Sequence, residues 1–215
     1  MKKVLMFVLL LLLVLGGCGN QGVNSNEKVE SNEEKESKYG EDLDLIVNQI
    51  LENSSKAEEV VNTYAFIWNN SINSYVTLDD VKTKLGIEEN KVREYFEMSG
   101  YGGSSNILID DFNKNLASLS KYYSDTGKIQ ELESASEAIK ANLKELNNPP
   151  ETYKNAYNEV LEFYTLANEY IQLATNPAGS LITYNQSRNQ LSTEVIGKFE
   201  RIQIIMPEAN TQEDN

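Results

Sequence analysis

The sequence predicts an all-α protein, an antiparallel four-helix bundle with an elaborated first connection. Apolar residues recur in alternating steps of four and three along its long segments, the signature of a helix packed against other helices. Proline and glycine mark the boundaries, at Pro149-Pro150 and in Asn176-Pro177-Ala178-Gly179-Ser180. No run alternates polar and apolar residues as a half-buried strand would, and no 20–50 residue repeat is present.

The first stripe is Leu43, Val47, Ile50, Ser54, Ala57, Val61, Tyr64, Trp68, Ser71 and Tyr75. It calls for a helix of about 33 residues, roughly 50 Å long. Residues 76–105 follow, where Thr77-Leu78-Asp79-Asp80 reads as a helix start and Ser99 to Ser105 as a glycine-rich loop. Short helices across one bundle end are the expectation. Between Asn106 and Asn148 one stripe (Leu108, Phe112, Leu116, Leu119, Tyr123) gives way to another (Ile129, Leu132, Ser136, Ile139, Leu143, Leu146), slightly out of register at Asp125-Thr126-Gly127. This reads as one long helix with an irregularity there; two helices are the alternative. After Pro149-Pro150, Tyr153, Tyr157, Val160, Tyr164, Ala167, Ile171 and Ala174 make the next stripe, and proline suits a first helical turn. The last runs Leu181, Tyr184, Arg188, Leu191, Val195, Phe199 and Ile202, ending before Pro207. The short link makes these two an antiparallel pair.

The chain ahead of the bundle has a different character. Met1-Lys2-Lys3 is positive, Val4 to Leu15 is an unbroken apolar run, and Leu15-Gly16-Gly17-Cys18 follows directly. Twelve apolar residues are too few for a permanent membrane span, which needs about 20, and fit the apolar core of a signal peptide. Leucine three positions before a cysteine, with two small residues between, resembles the lipobox of bacterial lipoproteins. That resemblance implies alkylation of the Cys18 thiol by a diacylglyceryl group, cleavage between Gly17 and Cys18, and a lipid anchor on the extracytoplasmic face of the cell membrane. The organisation expected is then a signal peptide at 1–17, a lipidated, disordered tether at 18–40, a bundle domain at 41–207 and a fraying tail at 208–215. Gly19 to Gly40 is too polar to offset the entropy of ordering it. Its 22 residues would reach roughly 25 Å on average and about 75 Å when fully stretched. A leash, a helical bundle, a Pro-Pro turn and a Pro-x-Gly turn together look like uncharacterised helical lipoproteins of Gram-positive bacteria, a general similarity that implies no particular function.

Composition narrows the chemistry. Acidic residues number 33 against 19 basic, and removal of Lys2 and Lys3 with the signal takes the net charge from −14 to −16. Such a charge repels phosphate backbones, and Arg93, Arg188 and Arg201 form no basic cluster, so nucleic acid is not an expected partner. Histidine is absent and Cys18 is the only cysteine, which removes the commonest general base, the commonest metal ligand and any internal disulfide. No catalytic residue, metal site or cofactor is expected, and an enzyme is not the expected class.

The remaining candidates are binding residues. Arg188 falls on the inward stripe beside Tyr184, so that pair is the candidate ligand-binding site; a guanidinium there needs a carboxylate, a polar ligand or a path to water. Most of the 12 tyrosines lie on helical seams and read as core. The pairs Glu58-Glu59, Asp79-Asp80, Glu88-Glu89 and Asp110-Asp111 read as solvated faces and helix starts, since adjacent helical residues do not face each other. The resulting expectation is a non-enzymatic interaction module held at the membrane, meeting an envelope protein or cell-wall component. The alternative is a small-molecule or lipid binding protein with a pocket between helices.

Overall fold

A computed structural model describes residues 32–100 and 105–207, and the chain they form is helical. Helix α1 (Asn32–Asn73) is followed by two short helices, α2 (Leu78–Leu85) and α3 (Glu89–Tyr95), and then by α4 (Phe112–Asp125), α5 (Lys128–Glu145), α6 (Lys154–Thr175) and α7 (Leu181–Ile205). The first stripe buries as its spacing requires from Leu43 to Ser71. Tyr75 departs from it: α1 has ended at Asn73, and the ring is 62 % exposed.

Helix α1 begins earlier than its composition suggests. Residues 32–40, expected to belong to a disordered tether, form its first turns. Tertiary contacts supply what local composition lacks. Tyr39 donates its hydroxyl to Leu146 O at 2.8 Å, its ring lies 5.4 Å from that of Tyr153, and Thr152 donates to Glu36 at 3.0 Å. Gly40 sits where a Cβ would overlap the Tyr153 hydroxyl, so a larger residue there would force the Tyr153 side chain to shift. Residues 1–31 and 208–215, which include the expected signal, Cys18 and the tail, lie outside the described residues, as do residues 101–104 of the glycine-rich loop.

The segment 106–148 is two helices rather than one. Thr126 ends α4 in a helical conformation, but Gly127 turns to φ 76°, a left-handed backbone that glycine adopts without steric penalty, and α5 restarts at Lys128. Both helices nevertheless run antiparallel along α1. Asn115 bonds to Ser71, Tyr64 to Ser120, Lys56 to Glu131, Asn53 to Leu132 O and Tyr39 to Leu146 O, so positions rise on one side as they fall on the other. The break lets one column change register while keeping both apolar stripes against the same partner.

Pro150 precedes a single tight turn, Glu151–Tyr153, that leads into α6. Ser180 caps α7 by accepting from Thr183 N while Thr183 accepts from Ser180 N. Helix α7 returns antiparallel to α6, joined by Lys198 to Glu159 and Glu162, both at 2.7 Å. It also lies along α1, with Trp68 against Tyr184 (5.6 Å between rings) and Ser192 against Glu58. Between α1 and α4, the expected helix start at Thr77 carries a full capping box with Asp80. Antiparallel bridges Thr77 to Ile107 and Met98 to Leu108 tie the short helices down. Val76, Val81, Val92, Phe96 and Leu108 there are buried, extending the core past the end of α1.

Candidate functional site

Ridges of neighbouring helices leave furrows wherever a position facing the gap is small, and α1 puts Ser54 and Ser55 opposite Ser192 of α7. The result is an open groove of about 510 Å³ between α1 and α7, with Leu51, Val195 and Ile196 as its apolar wall and Glu58, Ser192 and Tyr170 as its polar end. Tyr170 comes from α6 beneath. Ser192 Oγ donates to Glu58 Oε1 at 3.0 Å. The Tyr170 side chain is 1 % exposed, and its hydroxyl lies beside that pair, near enough for their charge and dipole to act on it, yet completes a hydrogen bond with neither. Burial is the main cause that pushes the Tyr170 phenol above its ordinary pKa, reinforced by the charge of Glu58. The hydroxyl is therefore a proton-bearing donor at neutral pH. Lys56, at the groove's rim, is held by Glu52 at 2.9 Å and Glu131 at 3.0 Å.

A second cleft, about 320 Å³, lies where α4 gives way to α5 and is lined by Thr63, Lys84, Tyr122, Tyr123 and Lys128 among others. Its tyrosines belong to an aromatic cluster: Tyr122 stands edge-on to Tyr95 at 5.2 Å, and Tyr123 packs on Tyr64 at 5.7 Å. Burial raises the phenol pKa of Tyr122 and Tyr123. Opposite, between α6 and α7, the 11 % exposed Glu159 carboxylate receives Lys198 at 2.7 Å and Arg201 at 2.8 Å. The hydrogen bond from Lys198 is the largest of the causes that hold the Glu159 carboxyl below its ordinary value. Both oxygens of the Glu159 carboxylate are engaged from α7, so the cluster fixes α7 on α6.

Neither candidate binding residue is among those lining the two clefts, and the two differ in burial. Tyr184 is wholly buried against Trp68, and its hydroxyl donates to Leu173 O at 3.4 Å. It packs in the core. Arg188 is half-buried on the same face of α7 as Ser192, one turn earlier; its guanidinium bonds Asn189 Oδ1 at 3.2 and 3.3 Å, and its charge reaches the Tyr170 hydroxyl. Cys18 lies outside the described residues. The acidic pairs are divided as adjacent helical residues must be: Asp80 and Asp111 cap helices, Asp79 and Glu89 pair with Lys82 and Arg93, and Glu58 and Glu59 open onto different clefts.

Sequence reasoning missed Glu58, Tyr170 and Ser192 as a group. The available signal was the i, i+4 spacing of Arg188 and Ser192, which puts two polar side chains on a stripe otherwise apolar. Among the described residues no group of three or more acidic side chains is placed to hold a metal ion, and no helix is long and apolar enough to cross a membrane. Comparison with protein families, curated proteins and solved structures gives no match.

Proposed function

We propose that this protein is an extracytoplasmic lipoprotein anchored through Cys18, and that its helical domain is a non-enzymatic module that contacts an envelope protein or cell-wall component. The observation that carries the reading is Leu15-Gly16-Gly17-Cys18 placed directly after the apolar run Val4 to Leu15. Two acyl chains on one cysteine give firm retention where a single chain gives only marginal binding. Because α1 starts at Asn32, only Gly19 to Ser31 separates the anchor from the bundle, a stretch that extends at most about 45 Å.

The partner surface fits best at the end of the bundle remote from that junction. Helix α1 is about 63 Å long. At its far end Ile72 is 50 % exposed and Tyr75 62 %, and Ile182, in the first turn of α7, is 71 % exposed. The contact of Trp68 with Tyr184 places both helix termini at the same end. Crosslinking on intact cells, followed by mass spectrometry, tests the reading. One reproducible envelope partner, lost when Ile72, Tyr75 and Ile182 are all replaced by Ser, supports it. Capture of abundant neighbours alone, indifferent to the triple replacement, contradicts it.

A further inference from the structure

The groove between α1 and α7 holds an incomplete set of polar partners. The Tyr170 hydroxyl is buried, carries its proton and donates to nothing. A buried donor left unmade carries its full desolvation cost, so the position invites an acceptor. Glu58 brings one negative charge to the same spot, and among the described residues its hydrogen-bond partner is the neutral Ser192 hydroxyl. Arg188, a turn from Ser192 on the same face of α7, forms no ion pair among the described residues and rests on a side-chain amide. Lys56 cannot neutralise Glu58, because Glu52 and Glu131 already hold it. Glu58 and the unsatisfied Tyr170 donor thus share the groove lining with an apolar wall of Leu51, Val195 and Ile196, and the Arg188 charge, outside that lining, acts on the same hydroxyl from one helical turn before Ser192.

We propose that this groove binds a small zwitterion with an apolar body: an ammonium group on Glu58, an anionic group shared by the Arg188 guanidinium and the Tyr170 hydroxyl, and the apolar part over Leu51, Val195 and Ile196. The fork of a guanidinium suits a carboxylate or a phosphate equally, so the two sources of this chemistry are an apolar α-amino acid and the headgroup of an ethanolamine phospholipid. Ligand binding of this kind goes beyond the anchored interaction module and does not depend on lipidation of Cys18.

The experiment is isothermal titration of the full-length chain in detergent with L-phenylalanine and, separately, with a lysophosphatidylethanolamine added below its micellar concentration. Saturable binding of either one supports the groove and names the source. Phenethylamine and 3-phenylpropionate, each keeping one charge, should bind at least 10-fold more weakly than the zwitterion. Glu58→Gln, Arg188→Gln and Tyr170→Phe should each weaken binding at least 10-fold while the helical circular dichroism is kept and the unfolding midpoint does not fall. Absence of binding by both zwitterions at millimolar concentration overturns the proposal. So does binding of phenethylamine as tight as that of L-phenylalanine, or binding unmoved by the three replacements in a folded chain.

Discussion

Between α1 and α6, Ile50 meets Ala167 and Ile171 in a seam closed to water; between α1 and α7, Leu51, Ser55 and Glu58 border an open groove. Each seam holds one buried polar atom without a partner. In the closed seam it is Asn53 Oδ1, whose amide nitrogen donates to Leu132 O at 3.1 Å while nearby Ser136 donates to Asn168 at 3.0 Å. In the open seam it is the Tyr170 hydroxyl. Asn53 also borders a smaller cleft of about 210 Å³ between α1 and α5, but its amide already donates to Leu132 O, and its remaining deficit is the cost of a fixed register between helices, the best-attested use of a buried asparagine in a bundle. Tyr170 faces space, and its deficit can be met. The two shortages differ in the room beside them, about 510 Å³ at Tyr170 and about 210 Å³ at Asn53.

That contrast can be broken or sharpened by substitution. Ile50→Ala empties part of the closed seam and should lower stability by about 3–4 kcal/mol in denaturant titration, since tightly packed surroundings relax only partly around a cavity. A loss below about 1 kcal/mol would mean the seam is not closed.

Glu159→Gln comes next. It leaves Lys198 and Arg201 without their shared carboxylate between α6 and α7, with a cost of about 2 kcal/mol at pH 7, between that of an exposed and a buried ion pair. The carboxyl of Glu159 is held below its ordinary 4.5, so its contribution is full above that value and is lost as pH falls through the lowered one. Parent and variant should therefore converge in stability on acidification towards pH 3. Lys198, held above its ordinary 10.5 by Glu159 and Glu162, contributes below that value and loses its share in stronger alkali. A difference between parent and variant that is independent of pH would contradict the ion-cluster account.

The smallest effect separates two tyrosines. Tyr157 donates to Leu143 O at 2.9 Å, so Tyr157→Phe should cost about 1 kcal/mol. Tyr170→Phe removes a hydroxyl that bonds to nothing in the ligand-free chain, relieves its desolvation cost, and should raise the unfolding free energy by about 1 kcal/mol. Equal losses would show that Tyr170 is satisfied in solution by Glu58 or Ser192.

How much of this was legible in the sequence depends on how local its cause is. The stripes from Leu43 to Ser71, from Tyr153 to Ala174 and from Tyr184 to Ile202 are helical periodicity, and the all-helical fold follows from them. The start of α1 was not legible, because Glu33, Lys35 and Ser37 describe solvent-facing positions equally well in a helix and in a disordered leash. What orders 32–40 is Tyr39 and Gly40 meeting residues more than 100 positions away. The split at Gly127 was visible as a slip of register, but whether a slip bends a helix or ends it depends on one backbone angle. Tyr75 continues a perfect stripe beyond the point where α1 ends. The groove was hidden for a further reason: its members come from three helices, and only Arg188 stood out on its own stripe.

Anchoring through Cys18 is the claim on which the biological reading rests, and fractionation of cells expressing the parent chain or Cys18→Ser, with intact mass of the product, tests it most directly. The account predicts a parent protein in the membrane fraction that begins at Cys18 and carries the added mass of a diacylglyceryl group, and a Cys18→Ser variant that lacks the lipid and escapes that processing. An unmodified thiol at Cys18 in a membrane-associated parent, or identical fractionation and processing of the two chains, would contradict it.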